Sequence, residues 1–272
     1  MAEQVLGQTV AYPTKYSPDI LFKIKRSEGR KNINSDVEFF GIDIWNCYEI
    51  SWINSKGKPE VRILEIYIPS TSEFLVESKS LKLYFFSLNN EKFDSEEVFK
   101  DLVKKDLESL LICTVHLELK KIQDYKNYKL ESIDAISIDD IDISPRYTQP
   151  SQDIIKYKGE IAEETLYSNL HKTNCLITSQ PDWATLIISY KGLKIDHSSL
   201  LEYIISFRNE DMFHEHSVEK ILSELLSSGK FEKLTVYARY TRRGGIDINP
   251  IRSTEPISIT EAISLNHRMA RQ

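Results

Sequence analysis

From Ile42 to Pro69 apolar and polar residues alternate, first in IDIWNCYEISWI and again in VRILEIYIP, with NSKGKPE between them. Alternation in runs rich in β-branched and aromatic residues predicts two strands joined by a tight turn. The period then lengthens. Asp94 or Ser95 caps a helix whose first turn carries Glu96 and Glu97, and Val98, Leu102 and Leu107 give it an apolar stripe. A later helix is more regular: Val218, Ile221, Leu222, Leu225 and Leu226 follow the spacing of one buried face.

These elements recur. ESKSLKLYFFSLNNEKF from Glu77 lies over DHSSLLEYIISFRNEDMF from Asp196, so that Ser80, Leu81, Tyr84, Ser87, Asn90 and Glu91 match Ser199, Leu200, Tyr203, Ser206, Asn209 and Glu210. One residue later in register, Phe93 and Val98 match Phe213 and Val218, and LICTVHLEL matches KLTVYARY as a closing strand. Each half therefore reads strand, strand, helix, helix, strand. Antiparallel strand pairs with helices packed on one side make an α+β fold. The expected organisation is an irregular N-terminal segment over 1–35, a first repeat over 36–120, a connector over 121–163 and a second repeat over 164–272. The connector carries the acidic run SIDDIDIS and then SPRYTQPSQ, which reads as solvated chain.

A length of 272 residues is enough for a full core without disulfide or metal staples. The net charge of -6 argues against nucleic acid or an anionic membrane as a global partner, and no apolar run approaches a membrane span. The N-terminus lacks a signal peptide's cationic and apolar regions, and Cys47, Cys113 and Cys175 form no paired spacing, so a cytoplasmic protein is expected. None of the nine glycines falls in a GxGxxG or GxxxxGK arrangement, which excludes Rossmann and P-loop cradles.

Three clusters could carry chemistry. Cys175 lies in HKTNCLITSQPDW; a lone cysteine is ordinarily a small buried hydrophobe, but this one has polar neighbours, and Asp182 follows beside Pro181 and Trp183. A carboxyl against an indole and a proline ring is expected to be desolvated, which favours its protonated form. A thiol with such an acid suits addition to an unsaturated carbon whose heteroatom must be protonated. In FHEHSVE, Phe213, His214, Glu215 and His216 precede the regular helix, where capping, a zinc site or recognition of a guanine-like edge by the carboxylate are all open. YARYTRRGGIDINPIRS gathers Arg239, Arg242, Arg243 and Arg252 around Gly244 and Gly245, either as solvated strand-end charge or as a phosphate site.

ESKSLKLY, Glu77 to Tyr84, resembles at every position the signature of the QueF family of NADPH-dependent 7-cyano-7-deazaguanine reductases: Glu, Ser or Leu, Lys, Ser or Ala, hydrophobic, Lys, Leu or Tyr, aromatic. NCLITSQPDW, FHE and RRGGIDINP are similar to that family in the same order, and the length resembles its two-repeat branch. The resemblance implies a tandem tunnelling fold, a homodimer, and no metal. It implies reduction of 7-cyano-7-deazaguanine to 7-aminomethyl-7-deazaguanine with two NADPH, in the synthesis of queuosine for tRNA, with a free base rather than RNA as substrate. It assigns Cys175 as the nucleophile forming a covalent thioimidate, Asp182 as proton donor, and His214 as a catalytic group that also binds substrate. Val76, Glu77, Ser78, Phe213 and Glu215 complete the implied substrate pocket, and Ser78, Lys79, Arg242, Arg243 and Gly244 are the implied NADPH contacts. Cys47 lacks a following carboxylate at the matching distance and reads as structural; His216 has no assigned role. Two alternatives remain at this point: a zinc-dependent pterin or purine cyclohydrolase-like enzyme using His214 and His216, and a non-catalytic purine-binding module in which Cys175 is inert.

Overall fold

A computed structural model describes residues 12–33, 37–127 and 133–272. The readings of residues 1–11, 34–35 and 128–132 as irregular chain fall outside the described residues.

The N-terminal segment contains β1 (Lys23–Lys25) and the one-turn α1 (Arg26–Gly29). The first half follows as β2 (Phe40–Asn54), β3 (Pro59–Pro69), β4 (Phe74–Val76), α2 (Ser78–Leu88), β5 (Lys92–Phe93), α3 (Glu96–Leu111) and β6 (His116–Lys120). After β7 (Ile136–Ser137) the second half runs β8 (Tyr157–Asn174), β9 (Pro181–Ile195), α4 (His197–Ser206), α5 (His214–Ser228), β10 (Phe231–Tyr240), β11 (Ile246–Ser253) and α6 (Ile259–Leu265). One sheet spans both halves in the order β6-β3-β2-β11-β10-β9-β8-β7, with β5 attached to β2. Its long pairings are antiparallel, while the two-residue β5 and β7 pair in parallel. The halves are joined where β2 meets β11, in register from Cys47 opposite Ile246 to Phe40 opposite Ser253. No helix among the described residues is long and apolar enough to cross a membrane.

The matched residues of the two halves do the same work. Glu77 caps α2 by accepting from the N–H groups of Lys79 and Ser80 at 2.9 and 2.7 Å, and Asp196 caps α4 by accepting from the Ser199 N–H at 3.0 Å. The Ser80 and Ser199 hydroxyls donate back to the Glu77 and Asp196 carbonyls at 2.7 and 2.8 Å. Tyr84 and Tyr203 each reach an acid on the following helix, Asp106 and Glu224.

Strand alternation sends Trp45 and Cys47 to the face covered by α2 and α3, and Ile42 and Ile44 to the other face, where they pack with Tyr67, Tyr237, Ile251 and Ala262 of α6. Helices α2 to α5 thus share one face, and among the described residues the short α6 departs from the expected one-sided packing. At the seam the helix face carries a buried ion cluster. Asp43 meets Arg26 at 2.5 Å and Arg252 at 2.7 Å, and Glu219 of α5 meets Arg252 at 2.8 Å and Arg30 at 2.7 Å. Burial would raise both carboxyls, but the guanidinium groups hold Asp43 low and Glu219 at about 2. The N-terminal segment is thereby tied to the start of both β2 and α5.

Three local expectations change. On α3 the buried stripe is Phe99, Val103, Leu107 and Leu111, while Val98 is exposed, because the stripe advances by four residues per turn. Ile112 takes a left-handed conformation, φ 55°, ending α3, so the strand after it begins only at His116. Strand β8 begins at Tyr157, within the stretch read as connector; Lys158 to Ile161 are all exposed and so carry no alternation.

Candidate active site

A narrow cleft, continuous with solvent, opens on the helix face over the seam. The first half contributes Val76, Glu77, Ser78 and Lys82, and the second contributes Cys175, Asp182, Phe213, His214, Glu215 and Arg243; Trp45, Ile246 and Ile248 lie on the sheet side.

Cys175 opens the turn between β8 and β9. That turn is closed by the Cys175 N–H donating to the Gln180 carbonyl at 2.8 Å and the Ser179 N–H donating to the Cys175 carbonyl at 2.9 Å. Ser179 adopts φ 53° to close it. Burial alone would raise the thiol. Hydrogen bonds from the Thr178 hydroxyl, the Ile177 and Thr178 N–H groups and the Arg243 guanidinium outweigh it, and the net shift is downward. The turn therefore favours a thiolate.

Asp182, the second residue of β9, is 3% exposed. Its Oδ1 lies 3.1 Å from Arg243 Nε and its Oδ2 lies 3.3 Å from His214 Nε2. The expected packing against the neighbouring indole is absent, because successive strand residues face opposite ways: Trp183 lies instead under Arg208. The carboxyl is enclosed by the cleft walls and by two basic groups. Arg243 also donates to Gln180 Oε1 at 2.7 Å, so one guanidinium spans the turn, the thiol and Asp182.

Phe213 is the N-cap residue of α5, and His214 and Glu215 form its first turn. Burial, then the nearby Asp43, raise the Glu215 carboxyl to about 7, with His214 and Arg26 pulling the other way. His216 turns out of the cleft and lies under the N-terminal segment; a Cβ added to Gly29 would come within 1.8 Å of its ring. Burial depresses His216 to about 4. The two histidines thus point to different sides of the helix, and among the described residues no three His, Cys, Asp or Glu side chains converge as a metal site.

Of the NADPH contacts that the resemblance implies, Lys79 and Arg242 are not among the residues lining this cleft. Lys79 is exposed on α2, whereas Lys82, four residues after Ser78 and so on the same helix face, lines the cleft. Arg242 stacks on Tyr48, 3.6 Å from the ring centroid, away from the cleft lining. Gly244 (φ 56°) and Gly245 (φ 74°) sit in left-handed conformations, and a Cβ on Gly244 would stand 3.1 Å from Lys82 Nζ. Cys47 is buried, and that burial raises its thiol far above the usual range. Thr178 entered the sequence reading only as a polar neighbour of Cys175 and Lys82 only as a position of ESKSLKLY, with its helical spacing from Ser78 as the further signal; nothing marked Gln180.

Residues 12–119 match the family profile described as nitrile reductase, 7-cyano-7-deazaguanine-reductase N-term, and residues 181–258 match that of QueF-like protein. A protein of Legionella pneumophila (strain Corby), named NADPH-dependent 7-cyano-7-deazaguanine reductase, is 44% identical over 98% of this chain and 94% of its own. One of the same name from Burkholderia multivorans is 42% identical over 98% of this chain and 97% of its own. A crystal structure of the archaeosine synthase QueF-like in the apo form overlays 35% of this chain and 94% of its own, with 12% identity and a TM-score of 0.30.

Proposed function

The chain belongs to the 7-cyano-7-deazaguanine reductase family, and from that premise we propose that it reduces the nitrile of 7-cyano-7-deazaguanine to an aminomethyl group with two NADPH. The observation that carries the reading is the meeting of Cys175, Asp182, His214 and Glu215 in one cleft bordered by the first-half motif.

In this reading the Cys175 thiolate adds to the nitrile carbon while the nitrile nitrogen takes a proton from Asp182, giving a thioimidate. Nitrile carbon is a weak electrophile, so a lowered thiol beside a placed proton donor reduces the cost of that addition. Asp182 Oδ2 and His214 Nε2, 3.3 Å apart, are the two groups that would carry that proton. Arg243 holds the other carboxylate oxygen and leaves Oδ2 facing His214. Glu215, ionised, accepts the donors of the purine edge, and Phe213 packs on the base. Substrate and NADPH filling the cleft would keep water from the imine formed when Cys175 departs.

For NADPH, Ser78, Lys82, Arg243 and Gly244 are the fitting residues. Lys82 is a half-buried ammonium, lowered by burial and by Arg243, and beside it Gly244 lets backbone approach an anionic group closely. When bound, NADPH would supply hydride for the thioimidate carbon and again for the imine, the second with a proton to the nitrogen to complete the amine. The reading extends to a cytoplasmic homodimer whose product feeds queuosine synthesis. Purified protein is expected to consume NADPH only when the cyanobase is added; consumption without it, or none with it, would sink the proposal.

A further inference from the structure

Behind His214 stands a side chain outside the cleft. The ring of Tyr240, the last residue of β10, lies parallel to the His214 imidazole with centroids 3.7 Å apart and planes 4° from parallel. At the far end of the tyrosine, His171 Nε2 of β8 lies 3.3 Å from the Tyr240 hydroxyl and 3.1 Å from the Ser217 hydroxyl of α5. The Tyr240 N–H donates to Asn249 Oδ1 of β11 at 3.0 Å. Tyr240, His171, Ser217 and Asn249 are all 0% exposed. Burial, and to a lesser degree His214, depress His171 to about 3, so it is a neutral partner at working pH.

Face-to-face stacking is not what two neutral rings prefer by themselves; offset or edge-on arrangements are lower in energy. The stack is set instead by its attachments, with Asp182 at one edge of the imidazole and the His171 and Ser217 contacts at the far end of the tyrosine. The first turn of α5 meets Tyr240 twice, through the His214 ring and, by way of His171, through Ser217. We propose that Tyr240 is a positioning residue whose ring fixes the plane of the His214 imidazole so that Nε2 faces Asp182, with His171 and Ser217 holding Tyr240 in place. The inference rests on the reading that the nitrile nitrogen is protonated from the Asp182–His214 pair.

The test is the rate of covalent adduct formation at saturating cyanobase without NADPH. Tyr240→Met, similar in bulk but not aromatic, should be roughly 10- to 100-fold slower than the parent, and Tyr240→Phe, which keeps the ring but loses the hydroxyl contacts to His171 and Ser217, should fall between the two. Cyanobase affinity, measured with each variant in a Cys175→Ala background, should be unchanged, which a general loss of structure would not allow. Tyr240→Met at the parent rate, or Tyr240→Phe as slow as Tyr240→Met, would overturn the inference while leaving the proposed function standing. A parent protein that binds the cyanobase but forms no adduct would overturn both. Should Tyr240→Met fail to fold, the imidazole proton resonances of His214, assigned by their loss in His214→Asn, decide: ring-current displacement upfield supports the stack, and resonances at exposed-histidine positions overturn it.

Discussion

Asp182 Oδ2 stands 3.3 Å from His214 Nε2, and this contact joins the start of β9 to the first turn of α5. Both groups line the same cleft as Cys175, and in the proposed reaction this pair would deliver the proton to the nitrile nitrogen.

Asp182→Asn keeps the size of the side chain and removes the carboxyl as a source of that proton. Adduct formation should slow by roughly 10²- to 10⁴-fold, the usual weight of general acid catalysis, with little change in cyanobase affinity. Quenched-flow mass analysis checks the rate and calorimetry on Cys175→Ala forms checks the affinity.

The Thr178 hydroxyl is among the bonds that lower the Cys175 thiol. Thr178→Val removes it and leaves the backbone donors in place. The pH midpoint for alkylation of Cys175 should therefore move upward; a midpoint that stays put would mean that the turn's N–H groups and Arg243 suffice.

Glu215 titrates at about 7, raised first by burial. Protonation removes acceptor capacity, so cyanobase affinity should fall as pH drops through 7, approaching tenfold per pH unit below it for a single proton. Glu215→Gln should bind weakly and lose most of that pH dependence.

Stability should depend on pH with a definite sign. His171 and His216 are held neutral, at about 3 and about 4, so between pH 4.5 and 6.5 the unfolded chain binds two protons that the folded chain does not. Glu215 opposes them, since its raised carboxyl holds one proton in the folded state that the unfolded state has released. The net difference is one proton, and unfolding free energy should rise with pH by about 1.4 kcal/mol per unit across that window. In Glu215→Gln the opposition is gone and the slope should approach twice that value, which urea titrations at pH 5, 5.5 and 6 measure.

Much of this was legible in the sequence because it rests on local rules. Alternation gave β2 and β3, the internal match gave two equivalent halves, and matched positions such as Ser80 and Ser199 turn out to make matched hydrogen bonds. The cysteine, the acid and the His-Glu pair were singled out by residue type and resemblance, and the fold brings them to one cleft. What the sequence hid is three-dimensional. Neighbours in a strand point apart, so Trp183 says nothing about Asp182, and helical spacing brings Lys82 rather than Lys79 to the cleft. The contact of Tyr240 with His214 depends on the crossing of β10 under α5, and the ion cluster of Arg26, Asp43, Arg252 and Glu219 joins four elements far apart in the chain.

The most direct test is the intact mass of the protein after mixing with 7-cyano-7-deazaguanine and no NADPH, beside Cys175→Ala and Cys47→Ala. The account predicts a gain equal to the whole cyanobase in the parent and in Cys47→Ala, and none in Cys175→Ala. Measurable binding with no adduct in any of the three, or an adduct that survives in Cys175→Ala, would contradict it.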